Sequence, residues 1–268
     1  MSSVEKITLR SLLEMKRSGR PISMLTAYDA SFAGLLDRAG IDCVLVGDSL
    51  GNVIQGRDST VPVSVDDMVY HVHCVRRGLK RAMLIGDMPF LSYSDPATAV
   101  DTARRLMQAG AEMVKLEGGQ VVIESVAALS SLGVPVCGHL GLTPQSVHQL
   151  SGYRVQGREP DARKQLLNDA GALEKAGAAL LVLECIPDLL GAEVAAALSI
   201  PVIGIGAGPK VDGQVLVLYD ALGLGTGSKP RFVRNFLSGR DSLEHAVGAF
   251  IQAVQDREFP APNESYGN

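Results

Sequence analysis

Short apolar runs that end on a polar side chain recur along the chain. They lead to five residues: Asp48, Asp87, Glu117, His139 and Glu184. Runs this short, without alternation of polar and apolar positions, are typical of strands buried on both faces of a parallel sheet. In a closed parallel barrel the carboxyl ends of all strands lie at one mouth, where polar side chains are usually functional. We therefore expect these five side chains to share one site.

The segments between these runs contain a loose internal repeat. Residues 108–117 match 175–184 in register, and 39–48 form a looser third copy. Each copy combines a helix end, a glycine, a strand and an acid. Such repeats favour parallel strands joined by right-handed helical crossovers. With an eighth strand at 215–219, the sequence predicts a single (β/α)8 TIM barrel domain over residues 1–268.

Further boundaries follow from capping residues and periodicity. An amphipathic helix within 4–19 is expected to cover the bottom of the barrel. Asp95 followed by Pro96 predicts the start of a helix over 96–109. Helical material is expected over 233–256, and the tail from about residue 257 is expected to be mobile.

Composition restricts the class of protein. The 268 residues suit one barrel, which typically needs about 250. The net charge of −4 argues against nucleic acid as a partner. No run of apolar residues is long enough for a membrane span. The four cysteines form no C-x-x-C pair, which favours free thiols and a cytoplasmic location.

Paired carboxylates suggest a metal. Asp48 and Asp87 each follow a glycine and end a strand, and such acids suit Mg²⁺ completed by water and a chelating substrate. The alternative is that each aspartate only caps the next helix. Lys115 and Glu117 are two positions apart on one strand, so both should point into the barrel. They could hold an anionic substrate or form a structural ion pair.

His139 and Glu184 are the candidates for proton transfer. A glutamate in the apolar surroundings of Glu184 should have a raised pKa and could act as a general base. Its alternative role is a helix cap before Pro187. The histidine is as easily structural as catalytic. Two long loops, 50–62 and 140–158, are candidates to close the site, and the glycine-rich turn at 204–208 either binds phosphate or allows a close backbone approach.

Together these residues resemble the ketopantoate hydroxymethyltransferase family. The resemblance covers about 5–256 and rests on specific motifs: TAYD at 26–29, VGDSLG at 46–51, KLEGG at 115–119, CGHLGLTPQ at 137–145, IGIGAG at 203–208 and DGQ at 212–214. It implies a TIM barrel that assembles as a homo-oligomer, a decamer built as a pentamer of dimers. It also implies small-molecule substrates, with no nucleic acid or membrane partner.

The resemblance implies a reaction as well. A hydroxymethyl group would pass from 5,10-methylenetetrahydrofolate to 3-methyl-2-oxobutanoate through a Mg²⁺-stabilised enolate, giving 2-dehydropantoate. This is the first committed step of pantothenate and coenzyme A biosynthesis. The matching motifs imply roles for individual residues. Asp48 and Asp87 would be Mg²⁺ ligands that also contact substrate, and Glu117 would be an outer-sphere partner of the metal. Ser49, Lys115 and His139 would hold the oxo acid, and Glu184 would be the general base.

Two other hypotheses remain. A carbon–carbon lyase or phosphonomutase of the isocitrate lyase type would use the same barrel, metal and oxo acid. Those enzymes usually carry a cysteine-bearing catalytic loop, which this chain lacks. A non-catalytic barrel that senses a small acid is the second hypothesis, and it would not need a base such as Glu184 beside a metal.

Overall fold

A computed structural model describes residues 5–150, 152, 154–225 and 229–267. Eight parallel strands close into a barrel in chain order. They are β1 (Ile22–Thr26), β2 (Cys43–Val46), β3 (Met83–Asp87), β4 (Met113–Glu117), β5 (Val136–Gly141), β6 (Leu180–Glu184), β7 (Val202–Ile205) and β8 (Gly213–Leu216). The (β/α)8 TIM barrel predicted from the sequence is confirmed.

Helices surround this barrel. Those in the described ranges are α1 (Leu9–Ser18), α2 (Ala30–Ala39), α3 (Leu50–Val53), α4 (Val65–Gly78), α5 (Pro96–Ala109), α6 (Ile123–Ser131), α7 (Pro160–Lys175), α8 (Asp188–Ala197), α9 (Leu218–Ala221) and α10 (Leu243–Gln255). Asp95 caps α5 through the backbone N–H groups of Ala97 and Thr98, as predicted. No helix in these ranges is long and apolar enough to cross a membrane.

The barrel interior is apolar toward the amino ends of the strands and polar toward their carboxyl ends. Inward residues such as Met24, Ile85 and Val182 form one buried cluster inside the barrel. Outward residues such as Leu116 belong to a separate buried cluster between the sheet and the helices. This alternation places Lys115 and Glu117 on the inner face of β4, as predicted.

Helix α1 closes the amino end of the barrel. Leu12 and Met15 pack into the interior cluster with the first residues of the strands. Lys16 Nζ lies 2.6 Å from Asp212 Oδ2 and donates to the Ala195 carbonyl at 2.9 Å. The covering helix predicted from the sequence is therefore confirmed.

Several predicted boundaries are corrected. His139 lies inside β5 rather than at its end, and Asp48 lies beyond the end of β2. Strand β8 begins at Gly213, which pairs with Ile22 of β1 so closely that a side chain there would lie 2.3 Å from the Ile22 carbonyl oxygen. It ends at Leu216, and the chain then forms the short helix α9.

The predicted helix over 233–256 begins only at Leu243. Asn235 ends the earlier helical tendency, because its Oδ1 accepts from the Leu237 and Ser238 backbone N–H groups in a local turn. The tail beyond 257, predicted to be mobile, packs against the fold through Phe259, which contacts the rings of Phe236 and Phe250. Its mobility and the single-domain assignment stay predictions.

Asp42, at the amino end of β2, ties three segments together. Its carboxylate is fully buried. Oδ2 accepts from the Ser23 backbone N–H at 3.1 Å and from the Ser23 hydroxyl at 2.9 Å. Oδ1 accepts from Arg20 at 3.2 Å and Arg81 at 3.1 Å. This network joins β1, β2 and the loop before β3 at the end of the barrel away from the mouth.

Replacement of Asp42 by alanine should lower the free energy of unfolding by about 3–5 kcal/mol, because it leaves buried donors and charges without a partner. Asp101→Ala, which removes an exposed ion pair with Arg104, is the control and should cost about 0–1 kcal/mol. Urea denaturation of both variants measures the difference. Equal, small losses would show that the Asp42 network does not stabilise the barrel.

Candidate active site

The carboxyl end of the barrel opens on a cavity of about 750 Å³. All seven residues predicted for the site line it: Asp48, Ser49, Asp87, Lys115, Glu117, His139 and Glu184. They come from β3, β4, β5 and β6 and from the segment after β2. The structure therefore brings together every residue that the sequence singled out, whereas their chemical roles stay predictions.

Asp87 is the most enclosed of the carboxylates. Its Oδ2 accepts from Lys115 Nζ at 2.7 Å and from the Asp48 backbone N–H at 3.3 Å. Its Oδ1 is buried with no hydrogen-bond partner in the described chain. Burial raises the pKa of Asp87 despite the adjacent lysine, and burial together with the charge of Glu117 raises the pKa of Asp48. The raised pKa values show that this corner of the cavity favours uptake of a proton or, in its place, a cation.

Lys115 is surrounded by carboxylates. Besides Asp87, it approaches Glu117 Oε1 at 3.7 Å, and its side chain is almost completely buried. Burial disfavours the charged amine, but the negative charges of Asp87, Glu117 and Asp48 outweigh this and raise the pKa of Lys115. The lysine is therefore a fixed positive charge at the centre of the site.

His139 lies between two acids. Its Nδ1 is 3.1 Å from Glu117 Oε1, and its Nε2 is 3.2 Å from Glu184 Oε2. The second contact is not aligned for a hydrogen bond, so Nε2 has no partner. Burial and the charge of Lys115 lower the pKa of His139, which favours the neutral ring. The histidine links the β4 side of the site to Glu184.

Glu184 stands at the end of β6, across the barrel from β2. Burial raises its pKa, as the sequence predicted, although contact with His139 opposes the shift. Helix α8 begins after Pro187 without a side-chain cap. Glu184 is therefore not a helix cap.

Asp48 and Asp87 are not helix caps either. Helix α3 has no side-chain cap at its start, and Asp95 caps the helix that follows β3. Ser49 turns its hydroxyl toward the Tyr28 hydroxyl at 2.9 Å. The glycine-rich turn after β7 allows close packing, since a side chain at Gly206 would lie 2.6 Å from the Phe232 ring.

Gln145 contacts two acids of the site and was not predicted from the sequence. Its Nε2 donates to Asp48 Oδ2 at 3.1 Å, and its backbone N–H donates to Glu117 Oε2 at 3.0 Å. The Tyr93 hydroxyl donates to Gln145 Oε1 at 2.6 Å. Its place at the end of the CGHLGLTPQ motif was the available signal, but the motif alone gives no partner for it.

Asp48 and Asp87 have the donor set for a hard divalent cation. The partnerless Asp87 Oδ1 is a carboxylate oxygen without a proton donor, which is what such a cation requires. In the described ranges, no three His, Cys, Asp or Glu side chains are grouped to hold a metal by themselves. The remaining ligands would therefore have to be water or substrate oxygens, and the outer-sphere role of Glu117 stays a prediction.

A TIM barrel whose catalytic mouth holds paired aspartates, a buried lysine and a glutamate of raised pKa has the composition of a small-molecule enzyme. Comparison with known families makes this specific. Residues 6–262 match the family model described as ketopantoate hydroxymethyltransferase, and the chain belongs to that family. It is therefore an enzyme of the hydroxymethyltransferase type.

Curated relatives agree with this assignment. The 3-methyl-2-oxobutanoate hydroxymethyltransferase of Aromatoleum aromaticum is 56% identical over 97% of this chain and 97% of its own length. The protein of the same name from Shewanella loihica is 54% identical over 98% of this chain and its full length. This supports ketopantoate hydroxymethyltransferase activity for the chain.

The fold is also similar to that of solved structures with low sequence identity. Phosphonopyruvate hydrolase has a TM-score of 0.62 with 14% identity, covering 81% of this chain and 83% of its own. A 2,3-dimethylmalate lyase of the PEP mutase/isocitrate lyase superfamily has a TM-score of 0.59 with 17% identity, covering 81% and 82%. At this identity the likeness shows the barrel fold alone.

Substitution of Gln145 by methionine should lower kcat/KM for the oxo acid by about 10–100-fold, the usual effect of losing a residue that orients charged site groups. The variant keeps the volume but leaves Asp48 Oδ2 and the Tyr93 hydroxyl without their partner. Steady-state kinetics measures the effect. Gln108→Met, on the exposed face of α5, is the matched control; equal activity of the two variants would contradict the assigned contacts.

Proposed function

We propose that this enzyme transfers the hydroxymethyl group from 5,10-methylenetetrahydrofolate to 3-methyl-2-oxobutanoate, giving 2-dehydropantoate and tetrahydrofolate. It would thereby catalyse the first committed step of pantothenate and coenzyme A biosynthesis. Family membership supports the acceptor and the activity. The donor, the metal, the base and the pathway are part of the proposal.

The observation that carries the proposal is the separation of acids across the mouth. Asp48 follows β2 and Asp87 ends β3, whereas Glu184 ends β6, which is opposite β2 in the closed barrel. A small 2-oxo acid anchored at the aspartates would extend its C3 carbon toward Glu184. The two ends of the site therefore suit two different tasks, anchoring and proton abstraction.

Asp48 and Asp87 would hold Mg²⁺, as their charge and the partnerless Asp87 Oδ1 support. The bound ion would supply Lewis-acid polarisation of the keto group, an effect worth several kcal/mol. Lys115 adds a fixed positive charge near the carboxylate of the oxo acid. Together these groups would hold the substrate in one orientation and stabilise negative charge on its oxygens.

Glu184 would remove the C3 proton. A positioned base typically contributes about 10²–10⁴-fold to such a step. When His139 donates from Nδ1 to Glu117, its Nε2 offers a lone pair toward Glu184. The two atoms are 3.2 Å apart but not aligned for a hydrogen bond, so the Glu184 carboxyl would have to rotate before it could donate to this lone pair once protonated.

Part of the remaining cavity wall is apolar. Val182, Ile205 and Val215 line it beside Glu184. These side chains suit the branched hydrocarbon end of 3-methyl-2-oxobutanoate and keep water away from the carbanionic carbon. The flat folate would enter from the open mouth, where the loops 50–62 and 140–158 lie; residues 151 and 153 of the second loop fall outside the described residues.

Hydrogen exchange at C3 tests the base. In D₂O with Mg²⁺, the wild-type protein should replace the C3 proton of 3-methyl-2-oxobutanoate by deuterium, and Glu184→Gln should lower the rate by at least about 10²-fold. Proton NMR follows the loss of the C3 signal, with and without the folate. Glu193→Gln, in an exposed ion pair on α8, is the control.

Each outcome of that experiment decides the proposal. Exchange that is lost in Glu184→Gln but kept in the wild type and in Glu193→Gln supports Glu184 as the base. Equal exchange in wild type and Glu184→Gln would move the base elsewhere, with His139 as the next residue to replace. No exchange by the wild type under either condition would contradict the enolisation step and favour a protein that only binds the acid.

Mg²⁺ alone should raise the melting temperature of the substrate-free protein. At one hundred times its Kd the ion would add about 2.7 kcal/mol to the free energy of unfolding, or about 5–10 °C. Asp48→Asn should abolish the shift, whereas Asp58→Asn, an exposed acid at the same mouth, should retain it. Thermal denaturation measures both variants, and an unchanged shift in Asp48→Asn would contradict the site.

The Mg²⁺ effect should weaken as the pH falls. Burial raises the pKa of both aspartates above their ordinary value of 3.8 in the folded chain. Protons therefore compete with the ion for these carboxylates as the pH falls toward the raised pKa values. With folded pKa values above the unfolded ones, the contribution of these acids to metal-free stability falls as the pH rises. A melting shift that is independent of pH from above neutrality down to about 4 would contradict this linkage.

A further inference from the structure

The turn that follows Glu184 adopts an unfavourable backbone conformation. Cys185 has φ of +49°, in the left-handed region that residues with a side chain rarely occupy. Such strain persists only where the surroundings hold the chain in place. The turn directly sets the direction of the Glu184 side chain, so whatever holds it also positions the base.

Backbone hydrogen bonds supply part of that support. The Cys185 N–H donates to the Ile205 carbonyl at 2.9 Å, and the Gln156 N–H donates to the Cys185 carbonyl at 2.8 Å. The Ile186 N–H donates to the Gly206 carbonyl at 3.1 Å. These bonds fix the main chain but leave the outer side of the turn open.

The C-terminal segment 261–266, which we name the C-terminal clamp, covers that side. The ring of Tyr266 packs on the backbone of Gly206, where an added Cβ would lie 3.1 Å from it. Its carbonyl accepts from the Asp188 N–H at 2.9 Å, at the start of α8. Tyr266 therefore contacts the residue that accepts from Ile186 and the helix that follows the turn, and it also lines the cavity.

The clamp is anchored by charged side chains. The Glu264 carboxylate accepts hydrogen bonds from Arg234 Nε at 2.8 Å and from Arg234 Nη2 at 2.6 Å. The Arg231 guanidinium lies 5.6 Å from the centre of the Tyr266 ring and donates to the Ser265 carbonyl at 3.4 Å. Because these arginines belong to the segment after β8, the clamp joins the end of the chain to the barrel mouth.

We propose that the C-terminal clamp holds the strained turn after Glu184 in place, and that Tyr266 is a positioning residue for this base. The proposal rests on the proposed function, since it assigns proton abstraction to Glu184. Tyr266 acts through the turn and takes no part in bond making. Its loss should therefore slow the proton-transfer step much more than it weakens binding of the oxo acid.

The test measures C3 deuterium exchange with 3-methyl-2-oxobutanoate and Mg²⁺, and separates kcat from KM. Tyr266→Ala should lower kcat for exchange about 10–100-fold, the range expected when a base is displaced by up to about 1 Å. The KM for the oxo acid should stay within about threefold. Tyr266→Phe should restore most of the rate, because it keeps the ring contact with Gly206 and the backbone bond to Asp188.

A second pair of variants separates positioning from general stability. Glycine adopts the left-handed conformation without steric cost, so Cys185→Gly should make the turn less dependent on the clamp. Tyr266→Ala should then cost less in the Cys185→Gly background than in the wild type. A chain ending at Ser265 should behave as Tyr266→Ala, whereas a chain ending at Gly267 should exchange as the full chain does.

Where Tyr266→Ala fails to fold, Glu264→Ala tests the same contact, because it releases the Arg234 anchor and keeps the tyrosine. It should lower kcat for exchange by about three- to tenfold with KM unchanged. The proposal is overturned if Tyr266→Ala and Glu264→Ala exchange at the wild-type rate while Glu184→Gln is inactive. Exchange by Glu184→Gln at the wild-type rate would instead overturn the assignment of the base.

Discussion

The buried ion pair between Lys115 and Asp87 is the interaction on which the rest of the site depends. Their charged atoms are 2.7 Å apart, and both side chains are almost completely enclosed. Asp48, Glu117 and Glu184 add three more buried or partly buried carboxyl groups around the same cavity. Burying charges costs several kcal/mol per ion unless they are paired. One lysine cannot neutralise four acids, so this mouth has an inherent affinity for protons or cations.

The barrel makes this charge arrangement possible by separating support from chemistry. Apolar residues on the lower inner faces and helix α1 fill the interior, and the Asp42 network secures the amino end. The charged residues of the site lie toward the carboxyl ends of the strands. Stability lost at the mouth is thereby offset at positions that do not contact substrate, which is the usual division of roles in this fold.

Much of this could be predicted from the sequence, because the relevant signals are local. A short apolar run followed by a polar residue fixes both the strand and the residue at its end, and period-two alternation places Lys115 and Glu117 on one face. The exact ends of the strands were harder to predict from the sequence. The start of β8 coincides with the pairing of Gly213 with Ile22, nearly two hundred residues earlier in the chain.

Gln145 and Tyr266 escaped prediction for the same reason. Gln145 meets Asp48 across 97 positions of sequence, and no local pattern reports such a pair. Tyr266 lies in a polar, proline-containing tail whose composition resembles that of a mobile segment. Its partners, Asp188 and Gly206, become neighbours only when the barrel has closed. Long-range contacts thus determine how the acids are oriented, whereas local sequence determines that they are present.

The most direct test of the central claim, that anchoring and proton abstraction occur on opposite sides of the mouth, is a crystal structure with Mg²⁺ and 3-methyl-2-oxobutanoate. We expect the ion at Asp48 and Asp87, with the keto and carboxylate oxygens of the acid toward it. We also expect C3 within about 3–3.5 Å of the Glu184 carboxylate. A complex with C3 turned away from Glu184, or with the acid bound outside the mouth, would contradict the account.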